Sequence, residues 1–378
     1  MKVMSSIWIR HLLITANSFV VVAMITLFVL NVTFLIPIGR VFDNFSVIDL
    51  YFQMLAKTSP RTSSRAVTIV DMSALNMRRD IADVIDYIEQ YNPAVLGVDI
   101  VFEGIKEDTI GDNHIIDQAE RYNNIVYACK SYRDNEGNMQ EVHSFFTPFI
   151  HVKEGIVNFQ RDLYAGIKRY MQTGILSGNE LQPSFVFQIA NNFAKQQVAP
   201  FSKEPLLINF TPKHFEQLSY DSISKYPDLI ENRIVLLGAT KEEYDMHYSP
   251  LGKMSGVELQ AYAIDMLVNK DYVKKVPTAF LFLISILLVL LVEVIQNSFL
   301  EFAEQIQEPI PRFLLSTEMA ISILTFIIMA MLLSVSFHVF RGYGIFINLG
   351  WAFSAMAFLH INRQFYDTCY RIIKKDPS

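Results

Sequence analysis

Asp71 and Asp99 each stand where a short apolar, β-branched run ends, 66–70 and 94–98, and a third aspartate, Asp245, sits in a loop with Lys241, Tyr244 and His247. Carboxylates gathered at strand ends can hold a hard cation such as Mg²⁺ or Ca²⁺, or accept hydrogen bonds from an ammonium or hydroxyl group of a ligand. Aspartate at such a place also caps the following turn by accepting from backbone N–H groups, and the spacing leaves both roles open. Ser73 lies beside the first aspartate, and His247 adds a pH-sensitive group that could also ligate a metal. Other chemistries are poorly served. Gly238, Gly252 and Gly256 surround the loop without either phosphate-binding glycine pattern, so they read as turn residues. Ser73, Ser249 and Ser255 lack a nucleophile-elbow context. Neither a catalytic activity nor a cofactor is expected, and a metal is left unassigned.

The elements that must position these residues alternate in period. Apolar runs at 66–70, 94–98, 124–129, 155–159, 205–210 and 233–238 read as strands, at least six. Amphipathic stretches at 74–91, 113–122, 183–196 and 256–268 read as helices, the first with Ser73 as N-cap and Asn92-Pro93 as its stop. The pattern predicts an α/β domain of βαβ units with a mixed, mostly buried sheet. A βαβ crossover would set Asp71 and Asp99 on adjacent parallel strands about 5 Å apart, at the carboxyl edge where ligands usually bind. Residues 40–64 read as a linker and 133–140 as an exposed loop tip.

Apolar runs frame this domain. Residues 12–36, 278–297, 317–338 and 344–361 read as four transmembrane helices, one N-terminal and three C-terminal, the first exceeding the ~20 residues that cross a hydrocarbon core. Residues 37–277 then form one outer domain. Residues 1–11, the acidic loop 298–316 and the tail 362–378 lie on the other side, and 339–343 is a short outer turn. Lys2, Arg10, Arg363, Arg371, Lys374 and Lys375 favour cytoplasmic termini, hence a multi-pass protein of the inner (cytoplasmic) membrane with its domain outside. The runs carry few polar residues, which argues against a transport path. Glu293 falls near the end of one of them and is read as snorkelling to the interface. Glu301, Glu304 and Glu308 oppose Phe299, Phe302, Ala303 and Ile306, giving an acidic helix face that is either solvated or a docking surface for a protein partner.

Among 378 residues, 51 % are hydrophobic and 19 % charged, with a net charge of −6 and no basic stripe, which excludes nucleic acid as an expected partner. Cys129 and Cys369 fall on opposite sides of the membrane and cannot pair within a chain, which excludes a disulfide framework.

One stretch carries a resemblance. RIVLLGAT at 233–240, Tyr244-Asp245, Ser249-Pro250-Leu251-Gly252, Met254 to Glu258 and Ala261 to Asp265 follow, segment by segment, the closing pattern of the second type of cyclase/histidine-kinase-associated sensory extracellular (CHASE) domain. TIVDMS at 68–73, GVDIVFE at 97–103, Gly155 to Asn158, Asp162 and Pro183-Ser184-Phe185 also match it. The similarity covers about residues 40–275. It departs where Asn76-Met77-Arg78-Arg79 replaces a common Trp-Pro-Trp-Pro-Arg stretch. The resemblance implies an extracytoplasmic sensory module. Many members continue into an output domain, and here the last apolar run is followed by only a short tail. The expectation is therefore a subunit that binds a small ligand or envelope component and signals through partner proteins, which are other chains or further copies of itself. The alternative is a structural scaffold of an envelope complex.

Overall fold

The computed structural model describes residues 2–31, 46–133, 139–158, 166–178, 180–241 and 245–374. Tyr244, Asp162, the start of the linker and the tip of the 133–140 loop lie outside the described residues. The chain divides into two compact units, Phe52–Val273 and Met1–Tyr51 with Lys274–Ser378.

The Phe52–Val273 unit is built on a seven-stranded sheet. Its strands are β1 (Thr62–Asp71), β2 (Val95–Val98), β3 (Ile125–Arg133), β4 (Met139–Val142), β5 (Lys153–Ile156), β6 (Lys213–Ser219) and β7 (Ile234–Gly238). The order is β6-β1-β7-β2-β3-β4, with β5 also on β3, and every pairing is parallel except β3 with β4. The expected mixed sheet is present, with two changes. The apolar run 205–210 pairs only through Leu206–Leu207, with Tyr170–Met171, and stands off the sheet. Its expected place is taken by β6, whose alternation KHFEQLS suits a half-exposed edge strand.

Helices cover both faces. On one lie α3 (Arg78–Glu89) and α4 (Thr109–Arg121), which follow the linker helix α2 (Val47–Thr58) and the first strand. Ile81, Val84, Ile85 and Ile88 of α3 recur at helical spacing and pack with Val70, Leu96, Val98, Tyr127 and Leu237 of the sheet. The first helix starts later than expected, at Arg78 rather than after Ser73, because Ser73 is committed to Asp71. On the other face lie α5 (Phe185–Ala194) and α6 (Gly256–Asn269). Gly155 is required there: a Cβ would come 2.5 Å from the Cα of Phe185, so only glycine lets the start of α5 approach β5.

The helical unit comprises α1 (Lys2–Asn31), α7 (Thr278–Gln305), α8 (Pro309–Leu315), α9 (Glu318–Tyr343) and α10 (Gly350–Lys374). Among the described residues three stretches are long and apolar enough to cross a membrane: Ile7–Thr26 within α1, then α7 and α9. The expected fourth, C-terminal span is not among them. Its apolar window began at Ile345, but Ile345–Phe346 pair as a short strand with Lys274–Lys275, and the helix starts only at Gly350. His360, Asn362 and Arg363 then follow soon after, leaving about 15 Å of apolar helix against the ~30 Å of a hydrocarbon core.

α10, whose 25 residues extend about 37 Å, instead runs back beside α1 and α7 as an amphipathic member of the bundle and returns to the end where the chain begins. Ala352, Ala355, Met356 and Leu359 pack against Ile14 and Val22 of α1 and Val289 and Val292 of α7. Below them the interior is polar, contrary to expectation. Glu293 is 0 % exposed and does not snorkel: it pairs with Arg363 and lies 3.4 Å from His11 Nδ1. Arg363 also donates to Gln296, and Gln296 donates to Thr325 Oγ1 of α9 at 2.7 Å. Glu301, Glu304 and Glu308 are exposed, but α7 ends at Gln305, so Glu308 lies off the helix that carries the other two.

Candidate functional site at the carboxyl edge of the sheet

β7 lies between β1 and β2, so Asp71 and Asp99 are two strands apart, about 10 Å rather than neighbours. The two have different surroundings. Asp71 Oδ1 accepts from Ser73 Oγ at 2.5 Å, Ser73 N at 3.1 Å and Thr240 N at 3.1 Å, and Lys241 Nζ lies 2.9 Å from Oδ2. Ser73 Oγ accepts in turn from the N–H groups of Thr240 and Lys241. Burial alone would raise the Asp71 carboxyl, but the bonds from Ser73 and Lys241 prevail and hold it well below the usual range. Asp71, Ser73 and Lys241 therefore stitch β1 to the loop after β7, and both Asp71 oxygens are taken.

Asp99 is half-buried, with its N–H on Leu237 O at 2.9 Å, and its side chain lies on the α6 face of the sheet. There Gly238 leaves room, since a Cβ would sit 3.0 Å from Val257 and 3.3 Å from Asp99 Cβ. Asp245 belongs to the same corner. A Cβ on Gly256 would overlap its carboxylate, so the glycine lets Asp245 lie on the first turn of α6, where backbone N–H groups and the helix dipole favour an anion. That turn is fixed by a capping box in which Glu258 N donates to Ser255 Oγ and Ser255 N to Glu258. His247 Nε2 lies 3.4 Å from Asp245 Oδ1 and is held by the hairpin of Met246–Ser249 with Gly252–Ser255.

A residue that the sequence did not single out completes the corner. Gln260, 3 % exposed on α6, faces Asp99, and among the described residues its Oε1 has no partner. Nor has Ser184 Oγ, which lines a small cavity with Gln260, Asn158 and Gln172. The four-residue step from Gly256 to Gln260 was the available signal. Burial pushes the Asp99 carboxyl up to about 6; Gln260 opposes the rise and Asp245 adds to it. Asp99, Asp245 and His247 thus converge, while Asp71, Ser73 and Lys241 form a separate group. Among the described residues no cluster of three or more histidine, cysteine, aspartate or glutamate side chains could hold a metal ion. The corner is suited to hydrogen-bond donors, hydroxyl or ammonium. On the α3 side of the sheet, the loop after Asp99 lines a separate cleft of about 670 Å³ with Met77, Arg78, Ile81 and Phe102.

A family profile, the CHASE2 domain, matches residues 20–295. The chain belongs to the CHASE2 domain family. No curated protein and no solved structure matches it. CHASE2 domains are sensory and extracytoplasmic, and this one, framed by helices apolar enough to span a membrane, has the corresponding organisation.

Proposed function

We propose that this CHASE2 protein is a non-enzymatic, multi-pass sensory subunit of the cytoplasmic membrane. Its outer α/β domain binds a small ligand or envelope component at the carboxyl edge and signals through a partner chain. The observation that carries the reading is the convergence of Asp99, Asp245, His247 and Gln260 on the first turns of α6. α6 ends at Asn269, and only residues 270–277 separate it from α7, so a shift of α6 has a short covalent path to an apolar helix. Glu301 and Glu304, exposed on α7, supply an acidic face for a basic partner, with Glu308 just beyond.

Hydrogen exchange on the full chain in lipid nanodiscs at pH 7.5 tests the path. Asp99→Asn imitates the protonated carboxyl and should alter amide protection from the start of α6 through the first turns of α7. A change confined to the Asp99 loop would reject the coupling.

A further inference from the structure

At the opposite, amino-terminal edge of the sheet, a groove of about 920 Å³ runs between the starts of β2, β3 and β5 and the end of α5. Its polar lining is almost wholly carboxamide. Asn191 and Gln197 are spent on the backbone, Asn191 Oδ1 accepting from Val198 N and Gln197 Nε2 donating to Ala199 O. Asn123, Gln188 and Gln196 line the groove as well, as does Asn192, whose Nδ2 is buried and has no partner among the described residues. An amide presents donors and an acceptor side by side, the pattern that pairs with hydroxyl groups on neighbouring carbons. An unpaired buried N–H is costly, and rotation of the Asn192 amide toward the groove would bring it to an acceptor held there.

The remaining lining has two parts. Phe201, 42 % exposed, stacks on Phe187 with centroids 5.6 Å apart and planes 12° from parallel, which leaves a fixed aromatic surface at the groove. Such a surface suits the apolar C–H face of a sugar ring. Lys153 and Lys195 also line the groove and, among the described residues, no carboxylate does, although the chain as a whole is acidic. Lys195 closes α5 in the left-handed conformation, φ +50°.

We infer that this groove is a second binding site, separate from the Asp99 corner, and that it takes an acidic oligosaccharide. The amides hold the hydroxyls, Phe201 carries a ring face, and the lysines meet the carboxylates.

Titration calorimetry on the full chain in nanodiscs tests this, with tetragalacturonate, neutral maltotetraose and an acidic tetrapeptide as probes. Tetragalacturonate should bind saturably and at least fivefold tighter than maltotetraose. Asn192→Ala and Phe201→Ala should each weaken it about tenfold, with each variant still folded at the assay temperature. Lys153→Ala with Lys195→Ala should erase the preference for the acidic sugar. The inference is overturned if tetragalacturonate does not bind at millimolar concentration, if the two sugars bind equally, if neither Asn192→Ala nor Phe201→Ala weakens binding, or if the tetrapeptide binds as tightly.

Discussion

Glu293 of α7 and Arg363 of α10 form a buried ion pair, with Arg363 Nε donating to Glu293 Oε1 at 3.2 Å and neither side chain more than 6 % exposed. Removing one partner from such a pair leaves an uncompensated buried charge, at about 3–5 kcal/mol, whereas replacing both is far milder. Arg363→Met alone should therefore lower the stability of the helical unit in detergent by that amount. Glu293→Gln with Arg363→Met together should restore most of it. Equal losses in the single and double variants would remove the pair from the account.

Arg10 of α1 bonds to both carboxylate oxygens of Asp367, at 3.1 and 2.9 Å, so the two ends of the chain share one end of the bundle. Cys369 and a cysteine replacing Ser5 should then label together with a membrane-impermeant maleimide, and only after the membrane is opened. A cysteine replacing Phe149, 83 % exposed in the α/β unit, should label in intact, outer-permeabilised cells. Cys129 is a quiet background, since burial pushes its thiol up to about 12. Labelling of Cys369 and Phe149→Cys from the same side would contradict this topology.

Glu89, 8 % exposed, is pushed up to about 7 by burial; Asn124, which donates to both its oxygens, opposes the rise and Asp86 adds to it. A folded carboxyl that keeps its proton above the unfolded value of 4.5 stabilises most below that pH. That stability is lost as pH rises toward 7, by an amount on the order of 3 kcal/mol. Glu89→Gln should be near neutral at pH 4.5 and clearly stabilising at pH 8. Urea denaturation at the two pH values reads the difference, and no difference between them would show that the carboxyl is ionised at little cost.

If the acidic face docks a partner, reversing Glu301, Glu304 and Glu308 to lysine should lower recovery of chains co-purifying in mild detergent. The amount of this protein in the membrane should be unchanged. Undiminished recovery would leave these three as solvated surface residues.

How far the sequence speaks depends on the range of the interaction. Local signals were legible: the helices from Gly256 and across Ile81 to Ile88 are announced by the period of their apolar residues. Strand order was not, because β7 enters between β1 and β2 from more than a hundred residues downstream, which is why Asp71 and Asp99 looked adjacent. β6 was missed because an edge strand has too little apolar content to declare itself. Hydropathy sees Glu293 as a lone charge and cannot see Arg363, and it merges Ile345 with a helix that begins at Gly350. Gln260 and the amide groove were invisible because nothing in their local pattern separates a paired amide from an unpaired one.

The central claim is that the CHASE2 domain reads a ligand at the Asp99 corner. Native mass spectrometry of the full chain, extracted directly from membranes into nanodiscs, measures this. Wild-type protein should carry a non-lipid small molecule at pH 7.5 that falls at least fivefold in both Asp99→Asn and Asp245→Asn, with thermal stability held within about 1 kcal/mol. An adduct pattern identical in wild type and both variants would contradict the account.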